Sequence, residues 1–175
     1  MSISVVNSYP ELPILTYKKT SVSMDDVEKA IKAYPVSREI KIAAYVMFRN
    51  ESGNGKNGIN NNYTGVQADS GRWQLESTHV IGTVLKNENM TGAMRRFLAF
   101  DSVAGNLDFL IDRIQKRGLY VGGTSTKIIT TKIIDSVSWC NAYWKSWVTG
   151  NANAKIPASE LNGLLSMYAQ GAKKF

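Results

Sequence analysis

The chain is organised around Ile42-Ala43-Ala44-Tyr45-Val46-Met47-Phe48-Arg49-Asn50-Glu51-Ser52-Gly53-Asn54-Gly55, an apolar helical run that ends at a carboxylate and enters a Gly/Asn-rich loop. The apolar residues ahead of Glu51 recur at the helical spacing of three or four positions, at Met47, at Ala43 or Ala44, and at Ile40. Glu51 continues this series, so its carboxylate should lie near the apolar face of the helix. Apolar surroundings raise a carboxyl pKa, so such a group can donate a proton near neutral pH. The alternative is an ordinary surface Glu at a helix end.

Composition predicts one globular domain over residues 1–175, because 175 residues with 43% apolar side chains suffice for one core. The apolar runs are too short and too interrupted to span a bilayer, and the N-terminus lacks the pattern of a secretion signal. A single cysteine, Cys140, excludes an internal disulfide, and one His argues against a zinc cluster. We therefore expect no metal and no cofactor.

The formal net charge of +7 and the pI near 9.5 favour a polyanionic partner. Nucleic acid, an acidic membrane surface and the anionic bacterial cell wall all fit this charge. The basic residues are scattered, and their close pairs are Lys18-Lys19, Arg95-Arg96, Lys116-Arg117 and Lys173-Lys174. That scatter weakens a nucleic-acid-binding interpretation.

The first half of the chain predicts helices followed by a hairpin. Residues 1–20 mix prolines with short β-branched runs and indicate an irregular arm. Ser23 is typical of an N-cap for a helix from Met24 to Tyr34, and Ser37 of an N-cap for the helix that ends at Glu51. The Gly- and Asn-rich stretch 52–62 predicts a loop, and residues 79–100 predict a small β-hairpin.

The second half is predicted to be helical. Ser102 caps a helix that extends to about Arg117, and the apolar spacing of residues 126–148 favours a second helix despite its β-branched residues. Pro157 begins a last helix that ends near Gly171. The fold class is therefore α+β and mainly α.

The order of the segments carries a family resemblance. Glu51-Ser52-Gly53 ends a helix, Asn61-Asn62-Tyr63-Thr64-Gly65-Val66-Gln67 follows the loop, and Phe97-Leu98-Ala99-Phe100-Asp101-Ser102 enters the next helix. This order resembles the lysozyme superfamily, and most closely its glucosaminidase family of peptidoglycan hydrolases, which includes the flagellar enzyme. Residues 65–69, Gly-Val-Gln-Ala-Asp, are also similar to goose-type lysozymes and lytic transglycosylases. The resemblance covers about residues 38–120.

The resemblance implies a lysozyme-like fold with a substrate cleft between a helical lobe and the hairpin. The implied activity is cleavage of the β-1,4 bonds between the amino sugars of peptidoglycan, by a glucosaminidase, a muramidase or a lytic transglycosylase. Glu51 would be the general acid that protonates the glycosidic oxygen. Tyr63, Gln67, Asn62 and Tyr120 would bind the sugars, although packing and loop-ordering roles fit the same residues. The implied partner is the peptidoglycan glycan strand. We expect the protein to be a monomer.

The sequence departs from the glucosaminidase pattern at the second catalytic acid. Glucosaminidases carry a Thr-Glu-Tyr phrase in the hairpin, whereas the corresponding stretch here reads Thr83-Val84-Leu85. We expect Asp69 to substitute, although an ordinary turn-forming Asp explains it equally well. The remaining acidic candidates are Glu76, Glu88 and Asp101. A lytic transglycosylase does not need this second group, because it uses a hydroxyl of the sugar itself.

Other residue types are weaker functional candidates. The cluster Trp139, Trp144 and Trp147 could offer a platform for sugars, but its helical spacing is more typical of core. Cys140 is expected to be buried and inert, and a lone His79 to be structural.

Two function classes remain open: a peptidoglycan glycosidase, and a non-catalytic lysozyme-like component of a phage particle or secretion apparatus that binds the wall. Nucleic-acid binding is the weakest alternative. Without a secretion signal, we expect a protein made in the cytoplasm that reaches the wall by lysis, by injection or on a virion. A phage endolysin or virion-associated hydrolase fits this expectation best.

Overall fold

A computed structural model describes residues 5–69, 77–88, 91–117, 119–120, 127–129 and 135–175. It confirms the α+β class with helices predominating. The helices are α1 (Met24–Lys32), α2 (Arg38–Glu51), α3 (Val103–Asp112), α4 (Ser136–Tyr143) and α5 (Ala158–Lys174), and the strands are β1 (Lys19–Thr20), β2 (Gly58–Ile59), β3 (Val80–Asn87), β4 (Met94–Phe100), β5 (Leu119–Tyr120) and β6 (Lys127–Ile129). One π-helical turn, Arg113–Arg117, continues α3, and another, Trp144–Val148, continues α4.

The helix starts predicted after Ser23, Ser37 and Ser102 are confirmed, and each has a local capping bond. The side chains of Ser23, Ser37 and Ser102 accept hydrogen bonds from the backbone N–H groups three residues later. The last helix follows Pro157 and extends to Lys174, a little beyond its predicted end.

The strands form three two-stranded antiparallel sheets in the described part of the chain. The predicted hairpin is confirmed as β3 and β4, with Val84 opposite Phe97 and Lys86 opposite Arg95. The predicted loop 52–62 contains one short strand, β2, which pairs with β1 from the N-terminal arm. The arm is otherwise irregular over residues 5–18, as predicted.

The predicted helix over residues 126–148 is wrong in its first part. Residues 127–129 form β6, which pairs with β5, and α4 begins only at Ser136 with Asp135 as its N-cap. The sequence of β6 includes Ile128 and Ile129, whose branching favours strand over helix. Residues 126 and 130–134 lie outside the described residues.

The larger hydrophobic cluster is formed by the helices, and α2 lies at its centre. Every residue of α2 from Ile42 to Phe48 is buried, and α1, α3, α4 and α5 contribute apolar side chains to the same cluster. A smaller cluster packs between β4, α3 and the arm. Trp147 packs against both clusters. No described helix is long and apolar enough to cross a membrane.

Candidate functional site

Glu51 is the last residue of α2, and the local sequence fixes that end. Ser52 follows as the C-cap, and its hydroxyl donates to the Phe48 carbonyl at 2.5 Å and accepts from the Gly55 N–H at 2.8 Å. Backbone conformations with positive φ at Gly53, Asn54 and Gly55 then turn the chain away from the helix axis. The carboxylate therefore stands at the rim of the larger hydrophobic cluster.

A buried tyrosine holds this carboxylate. The hydroxyl of Tyr143, at the end of α4, donates a hydrogen bond to Glu51 Oε1, and Asn50 Nδ2 donates to the same hydroxyl at 2.9 Å. The Tyr143 ring stacks on Trp139 with 5.3 Å between centroids. A π-helical turn begins directly after Tyr143, a feature that is frequent at functional sites.

Burial raises the pKa of Glu51 to about 7, and the hydrogen bond from Tyr143 opposes that rise. The group is therefore a carboxylic acid in a large fraction of molecules at neutral pH. Because Oε1 already accepts from Tyr143, we place the acidic proton on Oε2. A Cβ added at Gly65 would lie 3.9 Å from Oε2, and the φ of +67° at this position favours glycine.

Glu51 lines a cavity of about 430 Å³. The arm, the loop after α2 and the hairpin complete its wall, and the described residues that line it are Tyr17, Lys19, Glu51, Asn57, Gly58, Ile59, Asn62, Tyr63, Gly65, Lys86 and Phe97. Among these lining residues Glu51 is the one acidic residue, and the lining also includes two lysines and three aromatic residues. Such a mixture of polar groups and aromatic faces suits a sugar chain.

Asn62 and Tyr63 line the cavity, but both are almost fully buried, with 3% and 1% exposure. Asn62 Nδ2 donates to the carbonyls of Val66 and Leu98, each at 2.9 Å, which ties the loop to β4. Tyr63 stacks on Phe48, and a Cβ at Gly58 would collide with the Tyr63 ring. Their main visible contribution is to shape the cavity wall, and sugar binding by either stays a prediction.

Asp69 and Gln67 lie together beside the hairpin, outside the described lining of the cavity. Arg95 Nε donates to Asp69 Oδ2 at 2.8 Å and Nη2 to Oδ1 at 3.0 Å, and the Arg96 N–H also donates to Oδ2. Arg95 Nη2 donates to Gln67 Oε1 at 2.6 Å. Burial acts to raise the Asp69 pKa, but these hydrogen bonds outweigh it and lower the pKa. A carboxylate engaged in this way is poorly placed to activate a water, so the catalytic role of Asp69 stays a prediction.

The remaining acidic candidates have local partners. Asp101 Oδ2 lies 2.8 Å from His79 Nδ1, and Glu88 Oε2 accepts from the Thr91 hydroxyl at 2.7 Å. Neither belongs to the described lining of the cavity. Glu76 and the side chain of Tyr120 lie outside what the structure describes, so their roles stay predictions. The described residues include no cluster of three or more His, Cys, Asp or Glu that could hold a metal.

The structure also locates the tryptophans and the cysteine for which the sequence made predictions. Trp139 is buried and stacked on Tyr143, and Trp147 Nε1 donates to the Thr64 carbonyl at 3.1 Å, so both serve packing around the site. Burial raises the pKa of the Cys140 thiol to about 11, in keeping with an inert thiol.

No protein-family model, curated protein or solved structure matches this chain. The resemblance to the lysozyme superfamily therefore depends on the order of its motifs.

Sequence reasoning missed four residues of the site. Tyr143 contacts Glu51 across 92 positions, and Tyr17, Lys19 and Lys86 reach the cavity from the arm and from β3. A buried tyrosine needs a partner for its hydroxyl, which was the one signal available for Tyr143. The other three residues reach the cavity because segments distant in the sequence pair with one another, and no local motif predicts that pairing.

Proposed function

We propose that this protein is a peptidoglycan glycoside hydrolase with a lysozyme-like fold that cleaves β-1,4 bonds between amino sugars, with Glu51 as the general acid. The observation that carries this proposal is a carboxylic acid with a pKa of about 7 that lines a cavity of about 430 Å³. A catalytic acid works best when its pKa lies near the working pH. The net charge of +7 also favours binding to the anionic wall.

In this proposal Glu51 Oε2 gives its proton to the glycosidic oxygen as the bond to the anomeric carbon breaks. Positive charge develops on the sugar ring, and the leaving sugar departs as an alcohol. Tyr143 keeps Oε1 occupied, which orients the acidic oxygen into the cavity. The Glu51 carboxylate formed in this step is then available as a base.

The route after bond cleavage depends on a second group. Inverting hydrolysis needs a base about 6.5–9.5 Å from the acid, so that a water fits between them. Among the described lining residues no second carboxylate is present, and Asp69 is engaged by Arg95. This arrangement favours a route in which a hydroxyl of the same sugar attacks the anomeric carbon and Glu51 accepts its proton, as in lytic transglycosylation.

The lack of a second carboxylate in the described lining also supports one competing function. A non-catalytic relative that binds the wall, as a component of a phage particle or secretion apparatus, would need the cavity but no second acid. Such a protein would bind peptidoglycan as well after the change Glu51→Gln as before it.

The deciding experiment is digestion of purified peptidoglycan by the wild type and Glu51→Gln, with mass analysis of the released fragments. We expect the variant to lose at least about a hundredfold in rate, because proton transfer by a positioned acid contributes that much or more. Glu11→Gln, which changes an exposed carboxylate on the arm, is the matched control and should retain the wild-type rate.

The products separate the chemical routes. Anhydro ends would identify attack by the sugar's own hydroxyl, and reducing ends would identify hydrolysis. No release by the wild type from several wall types, with binding to the wall intact, would overturn the enzyme and leave the wall-binding alternative.

A further inference from the structure

The N-terminal arm contributes directly to the cavity through Tyr17 and Lys19. Asn60 fixes the arm at this point, because its Nδ2 donates to the Thr16 carbonyl at 3.0 Å and its Oδ1 accepts from the Lys18 N–H at 2.8 Å. The Asn60 N–H also donates to the Lys18 carbonyl at 2.8 Å. Tyr17 therefore sits between two anchored residues, and its backbone is preorganised.

Tyr17 keeps 48% of its surface exposed although its backbone is held. An exposed aromatic ring at a cavity wall is suited to pack against the C–H face of a sugar. In contrast, Tyr63 in the same cavity is buried against Phe48. Of the two tyrosines, Tyr17 is the one whose ring is available to a ligand.

Lys86 reaches the cavity from β3, and its position in the ladder carries an electrostatic cost. It pairs directly opposite Arg95, and like charges at directly opposed positions destabilise a sheet. Arg95 is neutralised by Asp69, whereas Lys86 makes no salt bridge within the described residues. Its charge is therefore available to a ligand in the cavity.

Lys19 is the second lysine that lines the cavity. It lies in β1 opposite Ile59, is exposed, and likewise has no salt bridge to any described acidic residue. Lys19, Lys86 and Tyr17 thus line one cavity together with Glu51. A ligand that is complementary to Lys19, Lys86 and Tyr17 would be a sugar that carries a negative charge.

We propose that Tyr17, Lys19 and Lys86 form a subsite for a carboxylate-bearing sugar. Tyr17 packs against the ring, and the two lysines bind the carboxylate. In peptidoglycan every second sugar bears a lactyl group. Its carboxylate is free where no stem peptide is attached, and where a peptide is attached through an amide, the negative charge comes from carboxylates of the peptide instead. This inference rests on the proposed function for its substrate class, and it adds the residues that would distinguish wall glycan from uncharged amino-sugar polymers.

The test measures binding by the inactive variant Glu51→Gln, so it does not depend on turnover. The probes are a tetrasaccharide of alternating amino sugars with free lactyl carboxylates, its methyl ester, and the same tetrasaccharide carrying stem peptides. We expect a free carboxylate to strengthen binding by at least about tenfold, as for a charge-assisted hydrogen bond. The added affinity should weaken as salt is raised.

Adding Lys19→Gln and Lys86→Gln should abolish the preference for a carboxylate while leaving binding of the ester unchanged. The matched control adds Lys155→Gln and Lys173→Gln, which remove the same charge from exposed positions and should retain the preference. Tyr17→Ala should weaken all three probes alike. Whichever carboxylated probe binds more tightly than the ester identifies the lactyl or the peptide source.

Equal affinity for acid, peptide-bearing probe and ester would overturn the subsite, as would a preference that survives in the double lysine variant. Failure of every probe to bind would overturn it too. Release of wall fragments by the wild type is a separate measurement, so the subsite and the glycosidase activity can fail independently.

Discussion

Two carboxylates of this protein, Glu51 on the helical side and Asp69 beside the hairpin, lie in opposite electrostatic surroundings. Glu51 receives one hydrogen bond from a neutral phenol, and burial raises its pKa to about 7. Asp69 receives two bonds from a guanidinium and one from a backbone N–H, and its pKa is lowered. Burial acts on both groups, so the charge of the partner decides which one keeps its proton.

The contrast between Glu51 and Asp69 can be tested first through stability, because ionisation of the buried Glu51 carboxyl destabilises the folded state. Its folded pKa of about 7 lies above the ordinary value of 4.5, so its proton stabilises the folded state below about pH 4.5. That stabilisation is lost as pH rises through 7. We expect Glu51→Gln, which carries no charge, to raise the free energy of unfolding by about 3 kcal/mol at pH 8.

At pH 4 the same substitution should have almost no effect, since Glu51 is then protonated in both folded and unfolded states. Denaturant unfolding of wild type and variant at the two pH values measures the difference. Glu11→Gln is the control for a carboxylate lost from an exposed position. A variant that is no more stable than the wild type at pH 8 would contradict the desolvated environment of Glu51.

For Asp69, beside the hairpin, we expect the opposite effect on the free energy of unfolding, because removing its charge should destabilise the protein. Asp69→Asn removes the charge from three hydrogen bonds in a side chain that is only 8% exposed, and we expect a loss of roughly 2 kcal/mol at pH 7. Because the folded Asp69 pKa is lowered, its contribution is present above the ordinary value of 3.8 and disappears as pH falls through the folded pKa. Urea unfolding of the wild type and Asp69→Asn at pH 7 and at a pH well below 3.8 measures the difference.

Asp101→Asn supplies the contrast, since Asp101 pairs with His79 but is 41% exposed. Its loss should cost less than about 1 kcal/mol, as for exposed pairs generally. Equal costs for Asp69 and Asp101 would mean that burial of the Arg95 pair contributes nothing. If Asp69→Asn instead left stability unchanged and stopped turnover, Asp69 would regain its predicted catalytic role.

The sequence predicted the features that depend on neighbouring residues. Ser23, Ser37 and Ser102 cap their helices through bonds that span three residues, and the hairpin follows from alternation and turn chemistry. The apolar repeat ahead of Glu51 likewise anticipated a partly buried carboxylate. The helix predicted over residues 126–148 failed because periodicity of apolar residues was preferred over the β-branched residues at its start.

The electrostatic partners could not be predicted in the same way. Asp69 meets Arg95 across 26 positions, and Glu51 meets Tyr143 across 92. The arm brings Tyr17 to the cavity through bonds to Asn60, more than forty residues away. These contacts are set by tertiary packing, so the sequence located the acid but not the groups that tune it.

The smallest expected effect on turnover concerns Tyr143, the residue that orients Glu51. Tyr143→Phe removes the hydrogen bond that lowers the Glu51 pKa, so this pKa should rise above about 7. The loss of orientation should reduce turnover by about tenfold, less than the roughly hundredfold that a 1 Å displacement of a reacting group can cost. The ring should remain stacked on Trp139, which preserves the fold. Tyr168→Phe, a change in another ring beside Trp139, is the matched control and should leave turnover unchanged.

The pH profile of kcat/KM distinguishes orientation from simple packing damage. A general acid is active when protonated, so wild-type activity should fall as pH rises through about 7. In Tyr143→Phe the same fall should occur at higher pH, whereas packing damage would lower activity without moving it. A profile that keeps its wild-type position would show that Tyr143 does not tune Glu51, and burial alone would then set the Glu51 pKa.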